Sequence, residues 1–410
     1  MNPRLIAEMI QVALGAIWAN KLRSFLTVLG NVVAVASIVT LVSIIQGITA
    51  EVTNVILTQV GADTFLIARV GITTTEDEIE RTRNNPRIDL DDLDALERHG
   101  GQFSAVMAQG RRQGEVRYRE NVLENILIHG VTEDFAAFPQ FDAERGRMPS
   151  LGEVRRKRNV ALLGWSTADR LFRESDPIDR TFTIQGIHFR VVGVSTGKGS
   201  MFGQSQDEFA VIPLGAYQRL FGARGGLSLM VRPSDPDVIE RAMDDATIAL
   251  RIDRRLRARE DNNFGMFTSD TALDLYNQAT SGIYAVLVGV VGLALLVAGI
   301  VVMNIMLMAV SERTREIGLR KALGARRRDV MWQMLSESVA LSVLGGALGT
   351  GIGAAAATLI DRFAPIPASV HIWSVGLAIL LTAIVGLFFG LYPAAKAASL
   401  DPIDALGRAG

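Results

Sequence analysis

The sequence predicts a membrane protein with four transmembrane α-helices and a large inserted α+β extracytoplasmic domain. Three observations predict it. Four stretches are apolar over at least the roughly 20 residues that a helix needs to cross a bilayer. A long polar stretch, 51–281, separates the first of them from the other three. Lys and Arg crowd the short flanks on one side of these spans, which marks that side as cytoplasmic.

Composition narrows the function classes. Of 410 residues, 49% are hydrophobic and 21% charged, so the two kinds must be segregated along the chain. A net charge of −1 offers no global field to gather nucleic acid, which is not expected as a partner. Cysteine is absent, which excludes disulfides, thiolate catalysis and Cys-based metal sites. His99, His129, His188 and His371 are scattered and form no HExxH spacing. No metal, cofactor or catalytic residue is therefore expected on this chain.

The elements follow in order. The leader, 1–23, carries Leu5, Ile6, Met9, Ile10, Ala13, Leu14 and Ile17 as a helical apolar stripe suited to the inner membrane surface. The first span, 24–50, is longer than a signal-peptide core and has no small-residue cleavage site, so it reads as retained. The second, 282–310, holds the polar Asn304, expected to hydrogen-bond a neighbouring helix because lipid supplies no partner. The third, 330–360, carries Glu337 in its interior. An intramembrane carboxylate demands a partner, and Arg320 or Arg326 is the expected one. Gly345, Gly346, Gly349 and Gly353 let this helix approach others closely, within the chain or across a dimer. A short extracytoplasmic loop, 361–371, leads to the fourth span, 372–393, and a cytoplasmic tail, 394–410.

Orientation rests on the flanks. Arg4, Lys21 and Arg23 precede the first span. Arg313, Arg315, Arg320, Lys321, Arg326, Arg327 and Arg328 fill the loop 311–329, and Lys396 and Arg408 follow the fourth span. The loop 361–371 has only Arg362. Both termini are thus expected in the cytoplasm and 51–281 outside, since long domains cross regardless of charge.

The outer stretch mixes strand and helix signals. Asp63–Val70, Asn159–Leu163, Thr181–Val194, Glu208–Ile212 and Ser228–Val231 read as strands, the third folding into a hairpin at Gln185-Gly186. Leu90–His99 and Asp235–Leu256 read as helices. Arg147–Arg158 reads as a linker or exposed loop between two lobes, its basic run 155–158 a solvated face. Gly193–Ser200 resembles a phosphate loop only faintly. The position five before Gly197 is Val192 and Gly199 follows Lys198, so a flexible loop with an apolar tip at Met201–Gly203 is the better reading.

The strongest local signal is Ser311–Val330. Ser311 is a candidate cap, Ile317, Leu319, Ala322 and Leu323 give an apolar side, and Gly324 suits a left-handed stop. Such an amphipathic helix serves either as a juxtamembrane anchor or as a handle that docks into a cytoplasmic partner. Charge alone does not decide between them.

The chain resembles the MacB/FtsX-like permease family, the type VII ABC transporters. The likeness is carried by Asn20–Gly30 at the first span and by Met303–Leu307 with Glu312–Ala325 around the basic loop. Tyr392–Ala398 and Asp401–Leu406 complete it near the end. The resemblance implies a porter-like lobe plus a small α/β lobe outside, and an FtsX-like permease domain over 282–403. It implies a coupling helix that docks a cytoplasmic ABC ATPase through Glu312, Arg313, Arg315, Glu316, Ile317, Gly318, Arg320, Lys321, Leu323 and Gly324. Two ATPase copies, which bind the ATP and Mg, and a second permease copy or paralogue are the expected partners, with a periplasmic adaptor besides. The chain has no Walker A sequence, so the ATPase is expected to be another polypeptide. The implied work is mechanotransmission in the bacterial inner membrane. Efflux, lipoprotein extraction and activation of an outside hydrolase are its possible uses, efflux being the favoured one because 51–281 is large. Ile317→Asp and Leu323→Asp are both expected to uncouple it.

Overall fold

The structure, a computed structural model, describes residues 21–71, 80–101, 103–138, 140–201, 203–222, 226–364 and 366–407. The leader stripe up to Ile17 and Phe202 of the apolar tip lie outside the described residues. The chain divides into two compact units: Glu51–Ala279, and the residues up to Ala50 together with those from Thr280 on.

Helix α1 (Lys21–Val60) runs past the predicted end of the first span, because nothing in 51–60 stops it. Gly61, at φ +89°, ends it in the left-handed region, its N–H bonding the Leu57 carbonyl.

Within 51–279, ten strands form one hydrogen-bonded sheet: β1 (Phe65–Ala68), β2 (Phe103–Tyr118), β3 (Asn121–Val131), β4 (Arg145–Gly146), β5 (Val160–Leu163), β6 (Thr181–Ile184), β7 (Ile187–Val194), β10 (Phe209–Pro213), β11 (Leu227–Pro233) and β12 (Gly265–Thr268). The order is β12-β1-β11-β2-β3-β10-β5-β7-β4. Strand β6 pairs with both β7 and the far end of β2, so β2, β3, β10, β5, β7 and β6 close a ring. The hairpin β6–β7 turns at Gln185-Gly186 as expected, both at positive φ. Helices α2 (Leu90–His99), α3 (Leu151–Arg155), α4 (Trp165–Phe172), α5 (Leu214–Phe221) and α6 (Ile239–Asp253) accompany the sheet.

The period of two explains why the central strands are apolar throughout. On β10, Ala210 and Ile212 join one buried cluster while Phe209 and Val211 join a second. Leu229 and Val231 against Met230 on β11, and Ala161 and Leu163 against Leu162 on β5, divide in the same way. Strands covered on both sides need no polar alternation.

Two expectations change here. Arg147–Arg158 is not a linker: it contains α3, started by Glu153 accepting from the Ser150 N–H at 2.8 Å. Arg147 bonds the same carboxylate at 2.7 and 2.8 Å and holds it far down, at about 2. The sheet continues unbroken on both sides of this segment. The Gly193–Ser200 loop is pinned rather than loose, since Asp207 accepts from the N–H groups of Lys198 and Gly199 at 2.9–3.0 Å. Those N–H groups, which a phosphate cradle would aim at a ligand, are already taken. A small hairpin, β8 (Ser200–Met201) with β9 (Gln204–Ser205), forms its tip.

Helix α7 (Ser269–Glu312) starts within 51–279, with Thr268 accepting from the Thr271 N–H at 3.1 Å, and continues into the other unit. Then come α8 (Thr314–Ala322), α9 (Arg327–Phe363), α10 (Ile372–Ser399) and α11 (Pro402–Gly407). Helices α1, α7, α9 and α10 are each long and apolar enough to cross a membrane, matching the four predicted spans.

Candidate functional site

The basic loop folds as predicted in outline, but its cap differs. Ser311 does not cap α8; it sits in the last turn of α7 and its hydroxyl donates to the Met308 carbonyl at 2.7 Å. Thr314 likewise donates to the carbonyls of Val310 and Ser311 at 3.0 and 2.8 Å. Hydroxyls that bond back onto a helix compete with its ladder and bend it, and α7 gives way to α8 at Arg313. Gly324, at φ +101°, ends α8 in the left-handed conformation expected of it. Asp329 starts α9 by accepting from the Arg326 N–H at 3.1 Å.

Helix α8 has two unlike sides. Ile317 is buried in a cluster with Val302, Met306, Val310, Val330, Met334, Leu335, Ala394 and Ala397. Gly318 abuts α11: a Cβ there would lie 2.6 Å from the Ala405 Cβ. Lys321 donates from Nζ to the carbonyl of Ala398 at 3.0 Å and to that of Leu400, closing the end of α10. A cation at a helix C-terminus meets both its unpaired carbonyls and its dipole. On the opposite side Arg315, Glu316, Leu319 and Leu323 are exposed, Leu323 at 81%. Ile317 and Gly318 are among the residues expected to dock the ATPase. Both pack inward, and the outward apolar residues are Leu319 and Leu323.

Glu337 has a partner, but a different one from those expected. Arg313 donates through Nη1 to Oε1 at 3.2 Å and Oε2 at 3.4 Å. Arg320 turns to Glu316 and to Gln333, the latter at 3.0 Å, while Arg326 is exposed. The helical pattern points along α8 and so to Arg320, not to Arg313. Arg313 stands at the break between α7 and α8, which no periodicity in the sequence marks. Lys321, expected among the docking residues, turns inward because of the packing of α10.

Asn304 lies exposed on α7, and among the described residues its side chain forms no hydrogen bond. The expected bond to a neighbouring helix is therefore not made within the chain. The α9 glycines do pack within it. A Cβ on Gly349 or Gly353 would meet the carbonyls of Val32 or Ala36 in α1 at 2.8 or 2.7 Å, and one on Gly346 would meet Thr382 Oγ1 of α10 at 2.4 Å. Gly345 is buried as well. Thr40 secures the α1–α9 crossing by donating to the Gly353 carbonyl at 3.1 Å.

Two family profiles match the sequence: the MacB-like periplasmic core domain over residues 24–249 and the FtsX-like permease C-terminal domain over 288–402. The macrolide export ATP-binding/permease protein MacB of Bdellovibrio bacteriovorus is 32% identical over 390 residues, covering 95% of this chain and 60% of that protein. The protein of the same name from Rhodospirillum rubrum is 33% identical over 417 residues, with 97% and 60% covered. The chain thus spans about 60% of the length of these relatives. The crystal structure of the periplasmic region of MacB from Actinobacillus actinomycetemcomitans is 19% identical, covers 54% of this chain and 95% of that one, and aligns with a TM-score of 0.44.

Proposed function

This chain belongs to the MacB/FtsX-like family of ABC transporter permeases, and on that premise we propose that it transmits the work of a cytoplasmic ATPase through the inner membrane to its extracytoplasmic unit. The observation that carries the reading is the two-sidedness of α8. Its inner side is locked to α10 and α11 by Ile317, Gly318 and Lys321, while Leu319 and Leu323 stand exposed beside Arg315. An apolar pair on a firmly seated helix suits insertion into a groove of a partner. A headgroup anchor needs its basic residues but not this firm seating.

Helix length supports the mechanical part of the proposal. At 1.5 Å per residue, α1 and α7 are about 60 and 66 Å long, roughly twice the hydrocarbon thickness of a bilayer. Uninterrupted helices of that length are stiff enough to carry displacement. In this reading two ATPase copies bind ATP and Mg, this chain has no catalytic residue or cofactor, and a second permease copy or paralogue completes the complex. Both termini face the cytoplasm. Efflux of a small molecule, peptide or lipid-linked substrate, with a periplasmic adaptor, is the proposed use, in line with the macrolide export named for its relatives.

The test separates docking from folding. Leu323→Asp and Leu319→Asp are expected to leave thermal unfolding unchanged while abolishing co-purification of the ATPase and complex turnover. Ile317→Asp is expected to unfold the chain itself. Normal assembly and turnover in both leucine variants would refute the docking assignment.

A further inference from the structure

The cavity of interest lies wholly in the outer unit, on the side of the sheet where Phe209 and Val211 point. It holds about 580 Å³, within the range of small-molecule sites. His129 of β3, Lys198, Phe141, Phe209 and Leu127 line it.

His129 is 5% exposed, with its ring edge-on to Phe141 at 5.3 Å and to Phe209 at 5.9 Å. Its tautomer is fixed by a relay. Arg111 donates through Nε to Gln109 Oε1 at 3.2 Å, which directs the Gln109 amide N–H toward His129 Nδ1 at 2.8 Å. Nδ1 must accept, so Nε2 carries the proton. Burial, with the charges of Arg111 and Lys198 nearby, pushes the imidazole down to about 3 and keeps it neutral. Among the described residues nothing accepts from Nε2–H. An acceptor entering the cavity would take this N–H.

Lys198 provides the second donor. Its ammonium is half-buried, gives one N–H to the Gln140 carbonyl at 2.5 Å, and lies 5.9 Å from the Phe209 ring centre. Its backbone is clamped by Asp207, and its ammonium is tethered to the Gln140 carbonyl. One donor without charge and one with it thus sit beside Phe141, Phe209 and Leu127 in an otherwise mostly polar lining, whose one carboxylate, Glu208, is paired with Arg170.

We infer that this cavity binds a small organic carboxylate with an apolar body, its carboxylate taken by His129 Nε2–H and the Lys198 ammonium and its body laid against Phe141 and Phe209. The site is independent of ATPase docking, and its test does not involve the ATPase.

The test uses the full chain in a non-ionic detergent with 15N-labelled histidine, which gives only four imidazole rings to assign. His129 is expected to show the protonated-Nε2 pattern at pH 7. Titration with 3-phenylpropionate is expected to shift its signal saturably while His188 stays still. The uncharged 3-phenylpropanamide and the variant Lys198→Gln are each expected to bind about tenfold more weakly, and Lys198→Arg to restore much of the loss. No saturable shift up to ~10 mM would overturn the inference. So would equal binding of acid and amide, or unchanged affinity in a Lys198→Gln variant whose His188 signal is native.

Discussion

Arg313 and Glu337 join the break between α7 and α8 to the third span, guanidinium to carboxylate at 3.2 Å, with both side chains largely shielded. The pair fixes where the basic loop leaves the membrane helices. Arg313→Met leaves the carboxylate without its cation and is expected to cost about 2 kcal/mol. The double replacement Arg313→Met/Glu337→Met is expected to recover about 1 kcal/mol of the summed losses. Thermal unfolding of all four proteins in detergent measures this. Strict additivity of the two single changes would show that the residues are not coupled.

Gly318 is expected to tolerate no side chain. Gly318→Ala places a methyl group 2.6 Å from the Ala405 Cβ, an overlap that should cost about 1–3 kcal/mol and displace α11. Limited proteolysis is then expected to cut after Leu400 faster than in the parent. Adding Ala405→Gly should reverse the change. A failure of that second substitution to restore protection would place the strain elsewhere.

The outer unit has its own critical pair. Arg254 donates through Nε and Nη2 to both oxygens of Asp92 at 2.7 Å, with side-chain exposures of only 9% and 4%. Asp92 also accepts from the Asp89 N–H at the start of α2. Arg254→Met strands a buried carboxylate and is expected to cost about 3–5 kcal/mol. Near-ultraviolet circular dichroism during denaturant unfolding should register it, and a loss below about 1 kcal/mol would mean that the pair behaves as a surface one.

Acid is expected to destabilise the outer unit in two stages. His129 is held at about 3 against an ordinary 6.5, so the unfolded chain binds its proton first. The stability it confers is complete above pH 6.5 and declines as pH falls toward 3. Glu153, held at about 2 by Arg147 and the Ser150 groups, adds a second decline below 4.5. Each group steepens the pH dependence by at most about 1.4 kcal/mol per pH unit. His129→Gln is expected to remove the first stage and spare the second. Parallel plots of Tm against pH for parent and variant would contradict this.

Much of the architecture was legible because it is local. The four spans follow from run length, the β6–β7 turn from Gln185-Gly186, and the stop of α8 from Gly324. The partner choices were not. Glu337 selects Arg313 over Arg320 because a helix break turns one guanidinium inward, and no periodicity encodes that. Ile317 and Leu323 look alike in the sequence and differ only in what α10 and α11 cover. Strand β2 is hard to read because Arg111–Arg117 is polar and glycine-containing. The relay through Gln109 was equally hidden, since it joins neighbouring strands of opposite direction.

The placement of β1 sets an order of events during synthesis. Its hydrogen-bonding partners are β11 and β12, with Phe65 opposite both Val231 and Thr268. Those partners are encoded some 160 residues or more downstream of it. While the ribosome works through the intervening chain, the first strand delivered after α1 has neither edge satisfied, and its template stands open to other chains. A chaperone hold on that strand, or rapid delivery of 227–268, is what the nascent protein most needs. Ribosome stalling between residues 70 and 226 should therefore be the most aggregation-prone stage of its biogenesis.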